Sequence, residues 1–145
     1  MNLEKDLREF VELLNALEVR YVVVGAFAVA YHGQPRYTGD IDLFIERSAD
    51  NAQKILDAIE QFGFGKVGLS INDFLQPDHV IQLGVAPNRI DLLTFLSGVD
   101  FAEVWATREP AEIDGLSVAM ISKELLKRNK AASGRPQDLA DLEKL

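Results

Sequence analysis

The chain has no cysteine, which removes disulfides, thiolate nucleophiles and cysteine-held zinc or iron–sulfur centres. Histidine is scarce too. His32 and His79 are the only two, too few for a histidine-rich metal site, so a bound metal would rest on carboxylates and be a hard ion such as Mg²⁺ or Mn²⁺. Positive charge is in deficit: 15 Lys and Arg against 23 Asp and Glu give a formal net charge of −8. Stable grip on nucleic acid depends on neutralising phosphates, so stable DNA binding is not expected, whereas a brief visit to RNA or action on a protein is compatible. Long apolar runs are missing as well. The longest, residues 21–30, is broken at Gly25 and is too short to span a bilayer. The opening MNLEKDLREF carries both signs of charge and no apolar signal-peptide core; a cytoplasmic protein without membrane contact is expected.

What is present suits one globular domain over residues 1–145, with 48% hydrophobic and 26% charged residues. Leu3, Leu7, Phe10, Val11, Leu14 and Leu17 recur at helical spacing and predict an amphipathic helix over 3–17. Residues 20–24 read as a buried strand ending at Gly25, and 26–32 as a helix stopping at Gly33. A strand over 40–46 follows. Ser48 or Asp50 caps a helix to about Phe62, with Ala52, Ile55, Leu56 and Ile59 as its buried stripe. Residues 72–75 form a helical turn, 80–83 and 89–93 two strands, and 101–106 a short helix carrying Trp105. Asp114-Gly115 joins strands over 111–113 and 116–119, the strongest hairpin signal in the chain. Helices over 123–132 and 137–145 close a C-terminal helical portion placed at 119–145. The fold class is α/β (α+β): a mixed sheet flanked by helices.

The second predicted strand, over 40–46, is chemically unusual. Asp40 and Asp42 stand two apart in an otherwise apolar segment, so both leave the same face, about 7 Å apart along the strand. Close carboxylates repel, and a divalent cation relieves that repulsion. Asp91, in Arg-Ile-Asp-Leu-Leu, repeats the pattern. If its strand lies beside the first, about 4.8 Å away, three carboxylates converge, as two-metal phosphoryl or nucleotidyl transfer requires. A lone Asp-x-Asp pair also suits a turn, a cap or a solvated strand edge. Gly25, between strand and helix, offers backbone N–H groups to phosphate, or simply makes a tight turn.

The run from Val23 to Ile45, VVGAFAVAYHGQPRYTGDIDLFI, resembles the core of the DNA polymerase β-like nucleotidyltransferases, and within them the small proteins related to AbiEii-type toxins. Their pattern is a glycine turn, an alanine-bearing helix ending in His-Gly, then Arg-x-Thr-x-Asp-x-Asp, with a third Asp on a later strand. The tail KAASGRPQDLAD, from Lys130 to Asp141, is also similar. The resemblance implies that Asp40, Asp42 and Asp91 are the catalytic Mg²⁺ or Mn²⁺ ligands. It places Gly25 and Ala26 against the phosphates of an NTP substrate, and implies NMP transfer to a hydroxyl of RNA, protein or a small molecule, in a toxin–antitoxin or phage-defence setting with a cognate protein partner. Arg36 and Thr38 flank the acidic pair; Arg36 either contacts phosphate or pairs with a carboxylate. Lys130 either reaches the triphosphate or is a surface charge. Asp138 and Asp141 read as a charged outer helix face, and His32 as a helix-end residue. Where the family has Gly-Gly or Gly-Ser, this chain has Gly25-Ala26, losing the freedom of a second glycine and the hydroxyl of serine. That departure motivates the alternative, a binding or regulatory module of low or no activity; a nucleotide hydrolase is a third option.

Overall fold

A computed structural model describes residues 5–33, 39–63, 68–84 and 89–145. Its elements run α1 (Lys5–Ala16), β1 (Tyr21–Val24), α2 (Gly25–His32), β2 (Ile41–Ile45), α3 (Ala49–Phe62), α4 (Ile71–Leu75), β3 (Val80–Leu83), β4 (Ile90–Leu93), α5 (Phe101–Ala106), β5 (Glu109–Ile113), β6 (Leu116–Met120), α6 (Lys123–Ser133) and α7 (Pro136–Glu143). The six strands form one mixed sheet in the order β3-β4-β2-β1-β6-β5. β2 pairs with β4, and β1 with β6, in parallel; the other neighbours are antiparallel. The expected mixed sheet flanked by helices is therefore the observed fold.

The elements form where the side-chain periods require them. Leu7, Phe10, Val11 and Leu14 are the buried stripe of α1, and Phe10 meets Phe62 of α3 edge-on, ring centroids 5.6 Å apart. β1 and β2 are buried along nearly their whole length, as expected for central strands covered on both faces. Ser48, rather than Asp50, caps α3, its hydroxyl accepting from the Asn51 N–H at 3.2 Å. The buried stripe of α3 differs from expectation: Ala58 and Asn51 are buried with Ala52, Ile55 and Ile59, while Leu56 is only partly covered. The C-terminal helical portion starts at Lys123, not 119, because Ala119 and Met120 pair with Pro110 and Glu109 in the β5–β6 hairpin. That hairpin turns at Asp114-Gly115 as predicted, both residues at positive φ.

Asn51 ties α3 to the sheet. It is 3% exposed; its Oδ1 accepts from the Arg20 N–H at 2.8 Å, and its Nδ2 donates to the Arg20 and Glu46 carbonyls at 3.1 and 3.0 Å. One amide thus pairs the Arg20 N–H and the Glu46 carbonyl at the entry of β1 and the exit of β2, and shares the Arg20 carbonyl with the Glu46 N–H. Leaving buried backbone polar groups unpaired costs more than the bonds themselves contribute. Asn51→Ala is expected to lower unfolding free energy by about 2–4 kcal/mol, read as a reduced urea midpoint at unchanged m-value.

Candidate active site

The site is assembled by register. Val24 of β1 lies opposite Asp42 of β2, Asp42 lies opposite Asp91 of β4, and Asp91 lies opposite Gln82 of β3. Because β2 and β4 are parallel and in step, the two aspartates occupy equivalent positions, and their carboxyls are in hydrogen-bond contact. β1 passes into α2 at Gly25 without an intervening loop. Gly25 holds φ +68°, and a Cβ there would lie 2.0 Å from Asp42 Oδ2. Only glycine permits both the left-handed backbone and the approach of the Asp42 carboxyl. The N-cap position of α2, Val24, provides no side-chain cap, so the first-turn N–H groups are not answered by a capping side chain.

Asp40 is tied to the same pair through a residue the sequence did not single out. The Arg89 backbone N–H donates to Asp40 Oδ1 at 3.0 Å. Its guanidinium grips Asp91 with two bonds, Nε to Oδ1 at 2.7 Å and Nη2 to Oδ2 at 3.2 Å, and lies 3.6 Å from Asp40 Oδ2. Arg89 and Asp91 are two apart on one strand face, the same alternation that aligns Asp40 with Asp42; that spacing was the available signal. Asp91 is 8% exposed. Among the described residues, Asp42 has no such cation in contact. Burial, then the neighbouring Asp91 charge and the hydrogen bond shared with it, push its carboxyl up to about 7, against a smaller opposing pull from Lys130.

The C-terminal helices close the cleft. Lys130 of α6 is buried, its Nζ 3.2 Å from Asp138 Oδ1 and 3.7 Å from Asp141 Oδ2 of α7. The view of Lys130 as a surface charge, and of Asp138 and Asp141 as an outer charged face, is corrected here: the two aspartates are 1% and 2% exposed. Charges of this kind fold inward because each is answered by another. Arg135 Nε also donates to Asp138 Oδ2 at 2.6 Å, and Ser133 donates to the same carboxylate. Burial raises the Asp138 carboxyl, but the hydrogen bonds from Arg135, Ser133 and Lys130 outweigh it and hold it well below the ordinary range. Sequence periodicity cannot distinguish this inward network from a solvated face.

These parts border one cleft of about 590 Å³, with Gly25, Ala26 and Asp42 at one wall and Lys130, Arg135 and Asp138 at another. A cleft of that size holds a nucleotide. Arg36 and Thr38 lie outside the described residues. His32 ends α2 as expected, its Nε2 donating to the Ile121 carbonyl at 2.6 Å. The donor chemistry suits a hard divalent ion: oxygen ligands only, with Asp42 and Asp91 side by side and repelling. In position the set is incomplete, since among the described residues no three acidic or histidine side chains are gathered as a metal-holding group.

A mixed sheet with paired strand carboxylates beneath a glycine turn defines the nucleotidyltransferase class. The chain belongs to the family described as nucleotidyl transferase of unknown function (DUF2204), which matches residues 3–145. Its fold is similar to the crystal structure of a "putative nucleotidyltransferase" from Thermotoga maritima, at 20% identity and a TM-score of 0.65, covering 95% of this chain and 88% of that one. No curated protein matches.

Two outcomes follow from these charges. Between the ordinary 3.8 and about 7, folded Asp42 retains a proton that the unfolded chain has released. Stability of the chelator-treated protein should therefore fall as pH rises through that window, and Asp42→Asn should flatten the slope in urea melts at stepped pH. Asp138→Ala, which leaves the Lys130 charge without its nearer carboxylate, should cost about 3–5 kcal/mol by the same measurement at neutral pH.

Proposed function

We propose that this protein transfers a nucleoside monophosphate from an NTP to a hydroxyl acceptor with the help of a divalent metal. The observation that carries this proposal is the register that sets Asp42, which lines the cleft, beside Asp91 and directly under the Gly25 turn. Asp42 and Asp91, with Asp40 at the margin, would hold Mg²⁺ or Mn²⁺, which when bound supplies charge neutralisation to the triphosphate and lowers the pKa of the attacking hydroxyl. The open N–H groups at the start of α2 receive phosphate oxygens, aided by the positive end of the helix. Ala26 in place of a second glycine or serine leaves these backbone donors in place. Lys130, fixed by Asp138 and Asp141 at the cleft wall, adds positive charge on the side where the phosphates lie. The acceptor oxygen bonds to the α-phosphorus, the bond from that phosphorus to the pyrophosphate oxygen breaks, and the hydroxyl proton passes to the carboxylate pair.

Arg89 favours a second reading. Its two-bond grip on Asp91 and its link to Asp40 supply the positive charge that a metal would otherwise supply. A chain stable in that arrangement suits a binding or regulatory module on the same fold, the AbiEii-like pattern supporting a cognate protein partner in a toxin–antitoxin setting.

Incubation with each α-labelled NTP, Mg²⁺ or Mn²⁺ and a panel of RNA, protein and small-molecule acceptors separates the two. Transfer by the wild-type chain, lost about 10³-fold in Asp42→Ala and abolished by chelator, is the expected result. No labelled product with any NTP, together with a partner complex that survives Asp42→Ala, would establish the second reading in its place.

A further inference from the structure

Asn129 stands one residue before Lys130 on α6, borders the same cleft and is 6% exposed. Its Nδ2 donates to the Ser97 carbonyl at 3.0 Å. A carbonyl can only accept, so this bond fixes which way the amide is turned. The orientation is held from the other side too. Gly98, at φ +78°, packs so closely on α6 that a Cβ there would lie 2.6 Å from Ala132 Cβ and 3.1 Å from the Arg128 carbonyl oxygen. The turn after β4 and the helix are thus locked together, and Asn129 Oδ1 has no hydrogen-bond partner among the described residues. No buried side-chain oxygen or nitrogen among those residues lacks a partner away from solvent, so this oxygen faces open space, and the space that Asn129 borders is the cleft.

An amide oxygen turned into a cleft selects what it meets. It repels phosphate oxygens, which carry no proton at neutral pH, and accepts from O–H or N–H. The cleft has two kinds of lining. Lys130, Arg135 and the Gly25 turn supply positive charge and N–H donors, whereas Phe95 and Val80, 53% and 50% exposed, supply an aromatic and an aliphatic surface. The first group suits a triphosphate, the second a base and sugar. We propose that Asn129 is a specificity-determining residue whose Oδ1 accepts a hydrogen bond from a donor on the nucleoside half of the NTP. The donor is a ribose hydroxyl or a base amino or imino group, which share this chemistry. The inference rests on the nucleotidyltransferase reading and deepens it.

Equilibrium titration of wild type with the four NTPs comes first. The best-bound NTP is then compared with its 2′-deoxy and 3′-deoxy forms and with a base analogue stripped of its amino or imino donor. One of these should bind wild type about five- to tenfold more weakly, and which one does so identifies the donor. Asn129→Ala should bind the intact NTP as weakly as that analogue, and the analogue itself as well as wild type does. Equal weakening toward every ligand would mean that Asn129 only docks the Ser97 turn, and overturns the proposal. So does a wild type that binds NTP without discriminating among the analogues, a comparison that stands even if Asn129→Ala does not fold. A wild type that binds no NTP removes the nucleotidyltransferase reading itself, and this inference with it.

Discussion

Two carboxylates forced side by side, Asp42 opposite Asp91 on parallel in-step strands, are the constraint around which the rest is arranged. Isolated in low dielectric, such a pair would drive the strands apart or take up a proton. The fold manages the strain unequally. Asp91 is neutralised by Arg89 from its own strand face, whereas Asp42, with no cation in contact among the described residues, is pushed toward neutrality. The asymmetry leaves one carboxyl committed and one responsive, beneath the Gly25 backbone turn.

The surrounding structure serves that pair. β1 and β2 are buried over nearly their whole length, so a one-residue slip would put Asp42 into the opposite face of the sheet and apolar side chains into the cleft. Asn51 pins the far ends of the same two strands. Gly25 gives the close approach over Asp42 that no side chain would tolerate. On the other side of the cleft, α6 and α7 carry a second charged cluster that is internally balanced: Lys130 and Arg135 against Asp138 and Asp141. An acidic chain thereby presents a cleft whose far wall carries a cluster of no net charge.

Much of this was legible in the chain alone. Helical and strand periods placed the thirteen elements closely, because short apolar runs here are bounded by Gly, Pro, Ser and Asp at nearly every junction. The Asp-x-Asp strand, the Gly25 turn and Asp91 were visible because charge inside an apolar strand is costly and therefore conspicuous. Missed were residues whose roles depend on what stands opposite. Asp138 and Asp141 have the same spacing whether they face water or Lys130. Arg89 shows its link to Asp40 only once β4 lies beside the start of β2. Asn129 reveals nothing until the Ser97 turn docks against it.

That Asp40 and Asp42 leave one face of the chain just ahead of an apolar strand was thus set by the sequence, since strand alternation fixes which side chains share a face whatever the strands pair with. Pairing itself is a long-range matter. Only the tertiary structure decided that β4 runs parallel and in step with β2, making Asp91 the neighbour of Asp42. It also decided that Arg89 reaches Asp40 and that the C-terminal charges turn inward. The physical reason is the same in each case: a charge takes its character from its nearest counter-charge, and here several of those come from a different segment of the chain.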